Sequence, residues 1–394
     1  MPKPLRALIV GGGIGGLAAA VALRRVGISA TVFEKAPQIA EVGAGLSLWS
    51  NAVLALRRLG LEARAIAAGS PIERARSFLA SGRPNGTFDL AGLAEKAGAV
   101  SLCIHRAELQ RILLGAAAAG DPDAVRTGRD CVGFAADPDG ITARFADGST
   151  EYGDVLIGAD GIHSVVRRQL FGAQQPRAAG YFAWRGIATG DVASLLPAAE
   201  AIVVLGRGSQ AGFFHCGEGA VYWFLTGNPR SAPRPRAQAN RAAALAAIAA
   251  WRVPVHGFIE ATEEDAILRN DVIDRPPQRE WGIGRATLLG DAIHATTPNL
   301  GQGACQALED AVVLADALRQ GASPEAGLRD YEARRRNRTR FVIEQSWRLG
   351  RMAQTASPIA IWLRDLLGSS PLARRSSEKL FERLLCVDLP ELAD

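Results

Sequence analysis

Apolar positions in this chain fall into two kinds of pattern, and the change between them divides it. Largely apolar runs at residues 5–10, 30–33 and 155–157 are each closed by glycine or an acid, which predicts strands buried on both faces. Residues 17–26 lie between the first two runs and carry helical periodicity, so strand, helix and strand alternate as in a parallel sheet. Another short apolar pair, Leu288-Leu289, leads into Gly290-Asp291 and a helix beginning near Ala304. Residues 181–275 read differently, as mostly strands with an Ala-rich helical insert at 237–251. Residues 70–100, with the turn SGRPNG, predict a strand pair serving the same region. Residues 331–352, YEARRRNRTRFVIEQSWRLGRM, predict one helix with Phe341, Val342, Ile343 and Trp347 on its apolar side. Its arginine run is expected to be a solvated face, with attraction for the phosphates of a ligand as the alternative. A further helical tail is expected over 356–386.

Composition narrows the class. The 394 residues suffice for two domains, and 48% hydrophobic residues fit a folded globular protein. A net charge of +5 with no basic block interleaved with aromatics argues against a nucleic-acid binder. The five cysteines, Cys103, Cys131, Cys216, Cys305 and Cys386, are scattered and form no CxxC pair. Neither a zinc site nor a dithiol centre is indicated, and a reducing cytoplasm is expected. Glycines interrupt the apolar N-terminal stretch where a signal peptide needs a plain core, and gap-free apolar runs are too short for a membrane span.

Chemistry enters at Gly11-Gly12-Gly13-Ile14-Gly15-Gly16, a GxGxxG between strand and helix. Gly11 permits the tight turn, Gly13 admits a pyrophosphate, and Gly16 lets helix and strand pack. Gly15 belongs to the same cradle, and the helix N-terminus offers unpaired N–H groups to phosphate. Glu34 ends the second strand about twenty residues on, positioned for ribose hydroxyls, with Lys35 beside it as a further cofactor contact. The fingerprint itself leaves NAD and FAD open.

Further segments resolve that choice. They are His105-Arg106-Ala107-Glu108-Leu109, then D-G-x-x-S-x-V-R from Asp160 to Arg167. G-D-A-x-H-x-x-x-P-x-x-G-Q-G follows from Gly290 to Gly303, then Glu309-Asp310-Ala311. In this order over nearly the whole chain they resemble the FAD-dependent aromatic hydroxylases. These are the single-component flavoprotein monooxygenases, including salicylate, hydroxybenzoate and urate hydroxylases. The resemblance implies an α/β fold: an FAD-binding Rossmann-like domain of glutathione-reductase type, an inserted β-rich substrate domain and C-terminal helices. We divide the chain into an FAD-binding domain (1–72, 100–178, 272–345), a substrate domain (73–99, 179–271) and a C-terminal helical segment (346–394).

The same resemblance implies roles for individual residues. Asp291 approaches the ribityl or pyrophosphate part of FAD, and the turn Pro298 to Gly303, including Gln302, lies against the isoalloxazine ring. Gly301 and Gly303 bring bare N–H groups to the flavin's pyrimidine edge, where the dipole of the following helix favours negative charge. Arg106 pairs with FAD phosphate, and Gly43-Ala44-Gly45-Leu46-Ser47 covers the flavin with Ser47 near it. Cys131 falls where a backbone group meets adenine. Asp160, Gly161 and Arg167 lie near the nicotinamide path and FAD; His163 and His294 are expected to be structural. NADH or NADPH supplies electrons, O2 adds to give a flavin C4a-hydroperoxide, and one oxygen passes to a small aromatic substrate. Neither metal, nucleic acid nor membrane is called for, and a monomer or homodimer is expected.

On the substrate side, GFFHCGEGAVYWF (212–224) reads as a hairpin. With Glu218-Gly219 as a two-residue turn, Gly217 pairs with Ala220 and His215 with Tyr222. Phe213, His215, Tyr222 and Phe224 then share one face, and Phe214 and Trp223 the other. Such a face suits a flat aromatic substrate and its deprotonation, which makes Tyr222 and His215 catalytic candidates; plain sheet packing is the alternative. Arg185 is a candidate partner for a carboxylate or enolate, or else a surface arginine. A flavin halogenase would need Trp-x-Trp-x-Ile-Pro, which is absent. A flavin oxidase, reductase or epoxidase and a non-catalytic flavin binder are the other rivals.

Overall fold

Four β-sheets occur among the described residues of the computed structural model, which are 5–39, 43–229, 239–368 and 370–392. The chain begins with β1 (Arg6–Val10), α1 (Ile14–Arg25), β2 (Ser29–Phe33), β3 (Gly45–Leu48), α2 (Ser50–Arg58), α3 (Glu62–Ala68) and β4 (Gly69–Pro71). A hairpin, β5 (Arg74–Leu79) and β6 (Pro84–Asp89), precedes α4 (Leu90–Ala97), β7 (Leu102–His105), α5 (Arg106–Ala117) and β8 (Val125–Arg126). Next come β9 (Cys131–Ala136), β10 (Ile141–Phe145), β11 (Thr150–Gly153), β12 (Val155–Gly158) and α6 (Val165–Phe171). The following stretch holds β13 (Arg177–Thr189), β14 (Glu200–Leu205), β15 (Ser209–His215), β16 (Ala220–Gly227), α7 (Asn240–Ile248), α8 (His256–Glu260) and β17 (Leu268–Asp274). The last elements are β18 (Ala286–Leu288), α9 (Asp291–His294), α10 (Gly303–Gln320), α11 (Pro324–Ala353), α12 (Pro358–Gly368) and α13 (Pro371–Leu385).

The first sheet is wholly parallel, in the order β18-β12-β1-β2-β8. Its central strands are buried on both faces, which is why they read as continuous apolar runs rather than alternating ones. Alanines of α1 let α10 pack closely against it, and residues 16–23 of α1 are all buried. A second sheet has seven strands, β17-β13-β16-β15-β14-β5-β6, and draws β5 and β6 from a stretch far earlier than the rest. One of its faces packs Trp184, Phe213 and Trp223 against α7 and α8 through Ala244, Ile248 and Phe258. Two three-stranded antiparallel sheets, β11-β10-β9 and β3-β7-β4, complete the set. No helix among the described residues is long and apolar enough to cross a membrane.

Three expectations are corrected. The hairpin β15–β16 turns on three residues, Gly217-Glu218-Gly219, with Cys216 N donating to Ala220 O at 2.9 Å. Both glycines take positive φ (+84° and +64°), so the loop absorbs one more residue than a two-residue turn. The register slips by one: Phe214 faces Tyr222, and His215 faces Val221. A slip of one exchanges the faces of a whole strand. Phe214 therefore shares the Tyr222 face, while Phe213 and His215 join Trp223 on the other.

The long helix α11 begins at Pro324, seven residues before the expected start, with Ser323 Oγ capping Ala326 N at 3.2 Å. Its arginine run is not a uniformly solvated face. Arg335 is 2% exposed, and Arg338 is mostly buried beside it, because α10 presents two fully buried acids, Glu309 and Asp310, that need cations. The helical tail is made of two helices, and Ser370 caps α13 at Ala373 N ahead of Pro371.

Candidate active site

A cavity of about 1390 Å³ runs between the parallel sheet and the seven-stranded one. Ligand pockets commonly span ~300–1,000 Å³, so this space suits more than one small ligand. Gly13, Ile14 and Gly15 line one end at the start of α1. Gly11 takes φ +108°, and a Cβ there would stand 2.5 Å from Ala159 O; a Cβ on Gly16 would stand 2.0 Å from Gly11 O. Those two glycines let β1, β12 and α1 meet at one point. At Gly13 a Cβ would meet nothing within 4 Å, so the backbone there opens onto the cavity. Glu34 Oε2 accepts Gly12 N–H at 2.7 Å, and Oε1 accepts Ala36 N–H at 2.9 Å, which fixes the acid at the strand end.

Arg106 stands at the N-terminus of α5 and lines the same cavity, packed under Gly43; its backbone N donates to Ala44 O at 3.2 Å, while its guanidinium has no hydrogen bond or ion pair to a described residue. Asp291 also lines the cavity. It is exposed to that space, yet the protein packed around it raises its pKa; His294 and then Arg106 oppose the shift. Asp160 Oδ2 accepts Val165 N–H at 2.7 Å, while its buried Oδ1 has no partner, and burial raises this acid too. Ser47 and Gly161 are lining residues; Glu34, Lys35, Cys131, Asp160, Arg167 and Gln302 are not. An N–H cradle at a helix start, an unpaired guanidinium and an orphaned carboxylate oxygen fit the phosphates and hydroxyls of FAD.

Residues 298–301 and Gly303 line the cavity as well. Gly301 sits in the left-handed region (φ +63°) beneath Trp49, whose Nε1 donates to Leu300 O at 2.9 Å. Gly303 opens α10 with free space at its Cβ position, so this second helix start also points into the cavity. Gln302 turns inward instead. Its Oε1 accepts from Asn51 Nδ2 (3.0 Å) and Gln306 Nε2 (2.9 Å), and Asn51 donates also to Glu309 at 2.6 Å. Behind lies Asp310, which accepts from Gly290 N at 3.1 Å, His294 Nε2 at 2.5 Å and Arg335 Nε at 2.6 Å. Burial alone would raise Asp310, but His294 and Arg335 hold it down at about 2. Arg167 is equally internal, donating to Ala292 O and Gln174, with Gln278 close by. Burial, then Arg275, lowers it to about 10. Cys131 is a buried thiol bonded to Gly133 O, raised chiefly by burial.

Tyr222 and Phe224 of β16, Phe214 of β15 and Arg185 of β13 line the cavity from the seven-stranded sheet. Phe214 and Tyr222 stack at 6.2 Å between centroids, and Arg185 lies opposite Phe224 in the ladder. Neither the Tyr222 hydroxyl nor the Arg185 guanidinium has a hydrogen-bond partner among the described residues. Burial pushes the Tyr222 phenol well up, against the pull of Arg185. His215 stands on the far face with Nε2 2.8 Å from Leu196 O, so it does not reach the cavity and is removed from the catalytic candidates.

Sequence reasoning missed Asn51, whose partner Glu309 is 258 residues away, Arg335 and Arg338, whose partners sit on the preceding helix, and the lining contributed by α12 and α13. The acids at 309 and 310, a charged pair inside an apolar helix, were the available sign that buried cations must exist.

Comparison with known proteins follows this geometry. The profile of the FAD binding domain family matches residues 5–346. The chain is 41% identical over 367 residues to aurachin C monooxygenase/isomerase of Stigmatella aurantiaca, covering 93% of this chain and 94% of that one. It is 38% identical over 346 residues to FAD-dependent urate hydroxylase of Klebsiella pneumoniae subsp. pneumoniae, covering 86% and 88%. The crystal structure of Klebsiella pneumoniae HpxO complexed with FAD and uric acid superposes with a TM-score of 0.88 at 33% identity, covering 97% of each chain.

Proposed function

Because the chain belongs to the FAD binding domain family and is an FAD-dependent monooxygenase, we propose that it hydroxylates a flat, acidic aromatic or N-heteroaromatic ring at the expense of NADH or NADPH. The observation that carries this reading is Arg185 beside Tyr222, two unpartnered donors on an aromatic face across the cavity from the 298–303 turn. The relatives named for urate and for aurachin C point to the same kind of substrate.

Gly13, Gly15, Arg106, Asp291, Gly301 and Gly303 would hold FAD, with Asp160 and Glu34 fixing the strand ends around it. Reduced by the nicotinamide and exposed to O2, FAD supplies an electrophilic oxygen. The protein does the rest by placement and charge. Arg185 favours the ionised, electron-rich form of the ring and orients its anionic edge. Tyr222 stays protonated and donates a hydrogen bond to that edge. Phe214 and Phe224 offer the ring an apolar wall and keep water away. The N–H groups of Gly301 and Gly303, with the start of α10, stabilise negative charge at the cofactor's edge without reorganisation.

The test is the rate of flavin reduction by NADH and by NADPH, with and without phenolic acids, hydroxypyridines, quinolones and purines. Strong acceleration by one class, with product heavier by one oxygen atom, is expected. Fast reduction indifferent to every compound would sink the hydroxylase reading in favour of an oxidase or reductase.

A further inference from the structure

The cavity does not end at the aromatic face. The ladder registers carry it outward: Tyr222 faces Phe214, Phe214 faces Ala201, Ala201 faces Ala75, and Ala75 faces Phe88. A parallel row runs from Phe224 over Gly212 and Val203 to Ser77. Ala75, Ser77, Phe88 and Val203 all line the cavity. Neighbouring strands lie about 4.8 Å apart, so β5 is three strands and roughly 14 Å from β16. The opposite wall is α12 and α13, which contribute Ala360, Ser377, Leu380 and Phe381.

We propose that this arm takes a hydrocarbon tail, so that the acceptor is a flat aromatic or heteroaromatic head carrying an extended apolar substituent. The inference rests on the hydroxylase reading of the head site and adds the substrate class.

Charge decides between an apolar and an anionic tail. Arg364 of α12 lines the arm and is engaged, Arg348 of α11 lines the cavity from an exposed position, and the Arg76 guanidinium stands on the opposite face of the sheet. Arg364 donates to Gly206 O at 3.1 Å and to Asp365 at 2.8 Å, while Arg76 pairs with Glu200 at 3.4 Å. The Asn85 amide likewise donates to Ser77 Oγ at 3.3 Å. A phosphate or carboxylate there would compete with partners already in place, whereas a hydrocarbon loses nothing by entering. Arg185 at the head end, by contrast, has no such partner. Beyond the ring the arm is walled by Ala75, Phe88, Val203, Leu380 and Phe381, with the Arg364 cation already paired among them.

The holoenzyme is titrated calorimetrically with 4-hydroxyquinoline and its 2-methyl, 2-propyl, 2-pentyl and 2-heptyl derivatives. Kd is expected to tighten about three- to fourfold for each added methylene until the arm fills. The heat-capacity change should become more negative along the series. Ala360→Phe on α12 and Ser377→Phe on α13 each fill the arm from the roof. Either should flatten the series from propyl onward and leave the 2-methyl Kd unchanged. A Kd independent of length, or weakening with it, overturns the tail. If 4-hydroxyquinoline still accelerates flavin reduction in that case, the hydroxylase reading stands alone; binding by none of the compounds overturns both.

Discussion

His294 Nε2 lies 2.5 Å from Asp310 Oδ2, with both side chains buried, and this contact ties α9 to α10. Gly290 N and Arg335 Nε share the same carboxylate, so three separate segments meet on one acid. Asp310→Asn leaves part of the Arg335 charge buried and unmatched. A loss of about 3–5 kcal/mol in urea unfolding of the holoenzyme is expected. A change within experimental scatter would mean that the contact is incidental.

The same acid sets a pH dependence. Its folded pKa, about 2, is below the ~3.9 of an unfolded aspartate. Its stabilisation is therefore complete above about pH 4 and is lost as pH falls toward 2. Unfolding midpoints measured from pH 6 to pH 2 should fall more steeply for the natural protein than for Asp310→Asn.

Arg185→Met should weaken binding of anionic aromatic ligands roughly ten- to hundredfold, as expected for a charge-assisted contact of about 1.5–3 kcal/mol. A neutral amide of the same ring should bind the two proteins alike. Equal losses for acid and amide would place Arg185 outside ligand recognition.

Tyr222 and His215 make a matched pair of tests. Burial raises the Tyr222 phenol, so it remains a donor across the assay range. Tyr222→Phe should lower kcat/KM about three- to tenfold without moving the basic limb of the pH profile. A shifted limb would show that the phenol titrates and acts as a base. His215→Ala, on the opposite sheet face, should change kcat/KM by no more than about twofold.

Gly301→Ala forces a side chain into the left-handed region, at a cost of about 1–2 kcal/mol, with its Cβ 2.8 Å from Trp49 Nε1. FAD affinity, followed by fluorescence on reconstituting apoprotein, should drop about tenfold. An unchanged affinity would argue that the 298–303 turn does not hold the cofactor.

The features legible in the sequence were those whose cause is local. Gly11 and Gly16 announce a strand–helix junction because their own backbones need it, and residues 7–10 and 155–158 announce buried strands by being apolar throughout. The 212–224 hairpin was recognised, but its register was not. That depended on whether one residue, Gly217, joined the ladder or the turn, and both choices satisfy the pattern of alternation. The arginine run of α11 looked like a solvated face because its acids belong to another helix. Nothing within residues 358–385 shows that α12 and α13 roof a cavity, since the space they close is built by strands far earlier in the chain.

One strand pairing bears on how the protein is made. Strand β5 gains its inner neighbour β14 only through a contact such as Arg74 with Glu200, 126 positions apart. At ~5–20 residues synthesised per second, hairpin β5–β6 leaves the ribosome on the order of 6–25 s before that neighbour exists. During that interval β5 is an unpaired edge, and its alternate arginines, Arg74 and Arg76, are the charges that discourage another chain from adding to it. The ion pairs that these arginines later make with Glu200 are thus the second use of side chains whose first is to keep the nascent chain single.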